Sequence, residues 1–182
     1  MIKGSTFRLR HVQKSDLFAL STLINDLALR GDYLALNIMS PARFEKTFDE
    51  TKMSSEESET LLIVDLQDQI LGTVTHFKST PYFNALELGY HLFSVEHRGH
   101  GIVTEAIRLL SNYLFNNKQV NRLEIRMDVR NEASAKVAVR NGFRHEGVSR
   151  GANFVRGRHV DMAVYALLRQ EWEASAASGN QS

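Results

Sequence analysis

The sequence predicts a mixed α/β (α+β) domain in which one central sheet is flanked by helices. Three observations carry this. Leu123, Ile125, Met127 and Val129 alternate with polar, mostly charged residues, the period of a half-buried strand. Val103, Ala106, Ile107, Leu110, Tyr113 and Leu114 recur at helical spacing for about five turns. The element order is two early helices, a run of strands, then strand–helix–strand–helix–hairpin. A doubly wound dinucleotide fold needs strand–helix alternation from the start, so that fold is excluded. A chain of 182 residues is long enough for one self-sufficient core.

Each element has a local reason. Phe7-Arg8-Leu9-Arg10 alternates as an opening strand. Ser15 reads as an N-cap for a helix carrying Leu17, Leu20, Ile24 and Leu27 on one face. Ser40-Pro41 starts a second helix, with proline at its first position and Phe44 and Phe48 on one side. The polar run from Ser54 to Glu59 reads as a loop. Leu61–Val64 and Leu71–Val74 are strands joined through Gln67-Asp68-Gln69. Thr80–Asn84 is a loop and Leu86–Phe93 a strand. After the long helix and the strand at Leu123–Val129, a helix spans Asn131 to about Asn141 and closes at Gly142. Arg156-Gly157 turns a final hairpin between Phe154-Val155 and Val160–Leu167. Residues 1–173 form the domain, and the small, polar residues 174–182 predict a disordered tail.

Lys plus Arg number 22 and Asp plus Glu 21, so no global basic field favours nucleic acid or an anionic membrane. The absence of cysteine excludes disulfides, thiolate metal sites and a cysteine nucleophile. The first residues lack the apolar run of a signal peptide, and no stretch approaches membrane-spanning length, which predicts a cytoplasmic protein.

The richest segment runs from Glu87 to Ala106: a strand, the turn Arg98-Gly99-His100-Gly101, then a helix. A glycine turn at a helix N-terminus presents unpaired backbone N–H groups and the positive end of the helix dipole, which together suit a phosphate. A Walker loop needs a lysine that does not follow Gly101, and a Rossmann turn needs a third glycine where Val103-Thr104 stand. His97 and His100 flank the turn without a suitably spaced carboxylate, so no metal is expected.

Arg98-Gly99-His100-Gly101-Ile102-Val103 resembles the pyrophosphate turn of the GNAT acyltransferases, Arg/Gln-x-x-Gly-x-Gly/Ala, with Val103 in place of the last small residue. Gly89-Tyr90, Thr104-Glu105-Ala106, Asp128 to Ser134, Asn141-Gly142-Phe143 and Glu146-Gly147 extend the likeness to the branch of ribosomal-protein N-terminal acetyltransferases, the RimJ/RimL-like group. It covers residues 60 to 168, and the N-terminal part by organisation only. The resemblance implies a GNAT fold, acetyl-CoA as donor and an amine as acceptor, with homodimerisation compatible. Leu92, Phe93, Ser94 and Val95 would pair with the pantetheine arm, Arg98, Gly99, His100, Gly101, Ile102 and Val103 would hold the pyrophosphate, and Asn131 would meet the cysteamine end. The acceptor it favours is a protein N-terminal α-amine. A small amine (an antibiotic, an aminoacyl conjugate or a polyamine) and a non-catalytic CoA-binding module are the alternatives.

Acetyl transfer needs a base for the amine, a stabilised thioester oxygen and an acid for the departing thiolate. Glu87 is the first choice of base, with His91 on the same strand face and His76 on the preceding strand as competitors. The tyrosine that many GNAT enzymes use as acid would fall at Ala138 and is missing; Ser134 matches the serine that the resembled branch carries instead. Ser134 and Asn131 also have ordinary roles as first-turn and N-cap residues.

Overall fold

The computed structural model describes residues 1–179. Strand β1 (Ile2–Lys3) and β2 (Phe7–His11) lead into α1 (Leu17–Asn25) and α2 (Pro41–Thr51). Strands β3 (Ser58–Asp65), β4 (Ile70–Phe77) and β5 (Ala85–Leu92) follow, then α3 (Ile102–Asn117), β6 (Arg122–Asp128), α4 (Glu132–Arg140), β7 (Arg144–Val155), β8 (Arg158–Leu168) and α5 (Arg169–Gly179). The strands make one eight-stranded sheet in the order β1-β2-β3-β4-β5-β6-β8-β7. Every pairing is antiparallel except β5 with β6. No helix among the described residues is long and apolar enough to cross a membrane.

Two cores sit on opposite faces. Leu61, Val74, Leu88, Leu123, Ile125 and Met127 meet Ile107, Leu110 and Leu114 of α3 and Ala138 of α4. On the other face Leu62, Val64 and Phe93 meet Leu17, Leu20, Phe44 and Phe48 of α1 and α2. Cross-strand register assigns the remaining side chains, because directly opposed residues share a face. Leu62 pairs with Thr73 and Thr73 with His91, placing His91 on the α1/α2 face. Leu61 pairs with Val74 and Val74 with Tyr90, placing Tyr90 on the α3/α4 face.

Local chemistry moves several boundaries. The first helix is entered through a 3-10 turn at Lys14–Asp16 with Gln13 as its N-cap, and the Asp16 carboxylate reaches back to accept the Gln13 N–H at 2.7 Å. Ser15 therefore lies inside the turn. Leu27 lies beyond the helix, since the Asp26 carboxylate takes the Ala28 N–H at 2.9 Å and turns the chain. Strand β3 begins at Ser58, inside the segment expected to be loop. The largest correction is the C-terminus: α5 runs to Gly179, so residues 174–179 are helical rather than disordered. Three alanines in that stretch favour helix. Its start is fixed at long range, with Trp172 stacked on Phe115 and donating to Asn112 Oδ1 at 2.7 Å. The Arg169 guanidinium also donates to three carbonyls at the end of α3 and beyond it, those of Phe115, Lys118 and Val120. Residues 180–182 lie outside the described residues.

A buried ion pair fastens α1 to the sheet. Arg10 donates to both Asp16 oxygens, at 2.6 and 2.9 Å, and to both Asp68 oxygens, at 2.9 and 3.0 Å. Burial pushes the Asp16 carboxyl up, but hydrogen bonds from Arg10 and the Gln13 N–H outweigh it and hold the pKa below the usual value. A depressed folded-state pKa contributes stability that is present above the unfolded pKa of about 3.9 and lost as pH falls through the folded value. Asp16→Asn should therefore cost about 3 kcal/mol at pH 7, because it leaves Arg10 under-compensated. The difference from the native protein should shrink below about pH 4; urea denaturation at both pH values measures it.

Candidate active site

Strands β5 and β6 pair at only three positions, Ala85 with Arg122, Leu86 with Leu123 and Glu87 with Glu124. Both strands continue, β5 to Leu92 on its β4 side and β6 to Asp128 on its β8 side. They part beyond Glu87, and the sheet opens there. The Phe93 N–H donates to Leu71 O at 2.9 Å, towards β4. Strand alternation then turns the backbone groups of Leu92 and Ser94 to the open edge. Of the four residues expected to offer backbone pairing, Leu92 and Ser94 present it, while the Phe93 N–H is already committed. Val95 opens a 3-10 turn that the Ser94 hydroxyl caps, accepting the Glu96 N–H at 3.1 Å.

That turn delivers the chain into Arg98-Gly99-His100-Gly101 and α3. Gly99 and Gly101 both have positive φ, +81° and +79°. Gly101 is the residue from which α3 starts, and its carbonyl accepts the Glu105 N–H at 2.9 Å. The first N–H groups of α3 have no intrahelical acceptor and point off its end. Val103 is partly buried and packs against the α3-side core. Ser5 donates to both Glu105 oxygens, at 2.9 Å from N and 2.6 Å from Oγ, tying the N-terminal segment to the first turn.

On the α1/α2 face, Glu87 sits at the point of parting with its side chain 16% exposed. Burial raises its pKa; Arg126, with Nε 3.5 Å from Glu87 Oε2, and a hydrogen bond from Ser79 hold it partly down. Its neighbour Glu124 behaves oppositely. Burial pushes Glu124 up, but Arg122 Nε at 2.6 Å and Arg126 Nη2 at 2.7 Å win, and its pKa is lowered. Two adjacent carboxyls are thus driven apart, the arrangement that separates acid–base roles. Arg122 and Arg126 are absorbed by these carboxylates, and Arg130 binds Asp128 at 2.8 and 2.5 Å, so the arginines that alternate in sequence are held in ion pairs.

His91 shares this face, but its Nε2 contacts Leu29 O at 2.9 Å. Burial lowers its pKa, so the ring is neutral and Nε2–H donates to that carbonyl. It holds the segment after α1 over the opening, where Arg30 bridges Ile24 O and Ala35 O and Asn25 pairs with the Met39 backbone. Arg98 lies near Gly31, and Arg156 of the β7–β8 turn donates to Gly31 O at 2.5 Å. Arg130 lies over the Tyr33 ring. The mouth on this face is rimmed by arginines.

His76 is elsewhere. It pairs with Leu88, which places it on the α3 face, fully buried, with Nε2 3.3 Å from Glu59 Oε2. Glu59 is held below the usual carboxylate range, first by His76. His76 therefore does not share the Glu87 site.

On the α3/α4 face, Asn131 caps α4, its Oδ1 accepting the Ser134 N–H at 3.1 Å. Ser134 is 8% exposed, and its Oγ lies 2.5 Å from Tyr90 Oη. Tyr90 reaches from β5 to α4 beside the opening. Sequence reasoning weighed carboxylates and histidines along β5 and missed this phenol; the parity of Tyr90 within the strand was the available clue. A surface cavity of about 650 Å³ lies at the far end of β5 between Tyr82, Phe83, Lys78 and Lys118, away from these groups.

Residues 6–144 match the family model described as the acetyltransferase (GNAT) domain. YdaF of Bacillus subtilis (strain 168), provisionally named a ribosomal N-acetyltransferase, is 42% identical over 87 residues, 48% of this chain and 47% of that protein. The match thus spans about half the length of this curated relative. Among solved structures, RimL, a ribosomal alpha-N-protein acetyltransferase in complex with coenzyme A, superposes with a TM-score of 0.80 at 25% identity, covering 91% of this chain and 95% of that one. A spermidine N-acetyltransferase from Vibrio cholerae in complex with CoA and spermine shares the fold at 19% identity and a TM-score of 0.80, covering 93% and 99% of the two chains.

An added Cβ at Gly99 or Gly101 meets nothing within 4 Å, so only the backbone conformation requires glycine there. Gly101→Ala should cost about 1–2 kcal/mol in thermal denaturation. Gly101→Asn should cost less, since asparagine tolerates the left-handed region. Pyrophosphate affinity, measured by calorimetry, should fall more for the alanine variant than for the asparagine variant.

Proposed function

This chain belongs to the GNAT acetyltransferase family, and from that premise we propose that it moves the acetyl group of acetyl-coenzyme A directly to an amine, with a protein N-terminal α-amine as acceptor. One observation carries the reading: a single opening in the sheet has a carboxyl of raised pKa on one face and a serine–tyrosine pair on the other. The donor approaches from the α3/α4 face and the amine from the α1/α2 face, and they meet where β5 and β6 part.

The residues present fit coenzyme A. The backbone of Leu92 and Ser94 offers the open edge to the amides of the pantetheine arm. Residues 98–103 offer N–H groups to the pyrophosphate. Asn131, whose Oδ1 is used in capping, has its Nδ2 left for the cysteamine end. When bound, the donor supplies an already activated thioester, so no covalent enzyme intermediate is needed. Glu87 accepts the proton that the amine nitrogen sheds as it bonds to the acetyl carbon. The carbon–sulfur bond then breaks with its electron pair on sulfur, and the Ser134 hydroxyl hydrogen-bonds the leaving thiolate. The products are an amide, a thiolate and a proton on Glu87.

Two considerations favour an α-amine. Its pKa of about 8 leaves a usable neutral fraction near pH 7, whereas an amine near 10.4 leaves hundreds of times less for a weak carboxylate base to exploit. The arginines at the mouth outside the Arg130–Asp128 pair, Arg30, Arg98 and Arg156, repel a polycation such as spermidine and suit a neutral or acidic peptide.

Thiol release from acetyl-coenzyme A, measured with short peptides bearing free N-termini and with spermidine, tests the acceptor. Peptides should turn over with kcat/KM at least tenfold above spermidine; the reverse order would assign a polyamine enzyme. Coenzyme A binding with no acceptor-dependent release by any amine would leave a non-catalytic binding module. Glu87→Gln should lower kcat/KM by about 10²-fold and abolish the acid limb of its pH profile. Arg126 holds the Glu87 pKa down, so Arg126→Gln should move that limb to higher pH. A limb unchanged in both variants would remove Glu87 from the role of base.

A further inference from the structure

Resting on the reading that Ser134 faces the donor sulfur, we infer that Tyr90 is a positioning residue: its phenol donates to Ser134 Oγ and so commits the serine's own proton to the leaving thiolate. A serine hydroxyl carries one proton and two acceptor lone pairs. Left alone in a first helical turn, it bonds back to the local backbone. Here, among the described residues, the hydrogen-bond partner of Ser134 Oγ is Tyr90 Oη, 2.5 Å away. The alternative acceptor for the phenol, Ser134 O, is at 3.4 Å, too long to compete with the shorter contact. Tyr90 also stays a donor: burial pushes its pKa up to about 12, so it keeps its proton through the neutral range.

The polarity of the pair is then set. The phenol is the stronger acid of the two and donates; the serine proton is free to turn into the opening. Asn131 fixes the other end of the serine by accepting its N–H at 3.1 Å. Tyr90 comes from β5 and Ser134 from α4, so the hydrogen bond also spans the opening and fixes the distance from the strand to the serine. No proton leaves Tyr90 in the cycle.

The test uses the full chain and coenzyme A itself, without an acceptor. A hydroxyl aimed at sulfur lowers the pKa of the bound thiol, which thiolate absorbance reads in a pH titration. Tyr90→Phe should raise that pKa by about 0.5–1 unit, with calorimetric affinity for coenzyme A within about threefold of the native value. Ser134→Ala should raise it at least as far, and the double variant no further than Ser134→Ala alone, since the tyrosine acts through the serine. With the best peptide acceptor, kcat for Tyr90→Phe should fall about 5–20-fold with little change in KM for acetyl-coenzyme A. A Tyr90→Phe titration matching the native one, while Ser134→Ala shifts, would overturn the role of Tyr90 alone. Additive shifts in the double variant would do the same by giving the phenol an independent route to sulfur. An unshifted Ser134→Ala titration with coenzyme A still bound would overturn the underlying placement of Ser134, and the role of Tyr90 with it.

Discussion

The parting of β5 and β6 after three residue pairs is the constraint on which the rest depends. A sheet satisfies its backbone groups by pairing, and an edge opened in its middle leaves N–H and C=O groups that need another partner. Here the opening is confined to one seam. Pairing of β4 with β5 continues to Leu92, and pairing of β6 with β8 continues to Asp128. The flanking halves therefore stay paired while the seam between them is open. The Tyr90–Ser134 contact props it from one side, and the segment held by His91 lies over the other.

An opening through a sheet joins environments that a continuous sheet would keep apart. The α3/α4 face provides a glycine turn with both glycines at positive φ and a capped helix start. The α1/α2 face provides carboxyls and arginines. There the contrast between Glu87 and Glu124 is instructive, because the two residues are identical in type and paired in register. Glu124 receives direct hydrogen bonds from Arg122 and Arg126 and stays ionised; Glu87 has Arg126 only at 3.5 Å, and burial dominates it. Two guanidiniums in direct contact against one at 3.5 Å separate a carboxyl held below its usual pKa from one that burial raises.

Much of this was visible in one dimension. The helical stripe through Val103 to Leu114 and the alternation at Leu123 to Met127 became α3 and β6 because period alone dictates which side chains face a core. The turn at Gly99 and Gly101 was legible because few residues besides glycine take positive φ readily. Other features were hidden because their causes lie far away in sequence. The last helix is held by Trp172 on Phe115 and by Arg169 on three carbonyls, contacts that a run of alanine and serine does not announce. The face to which His76 points depended on the register of β4 against β5.

The sequence by itself determined the local elements, the glycine turn that starts α3 and the chemical inventory: Glu87, His91, Asn131 and Ser134, without cysteine. These follow from backbone conformation, side-chain period and residue type, which are local quantities. The tertiary structure decided which of those groups share a site. It divided Glu87 from His76, committed His91 to Leu29 O, and brought Tyr90 to Ser134 across 44 residues of chain. Register and burial settle such questions, and both are properties of strands and helices packed against one another rather than of any segment alone.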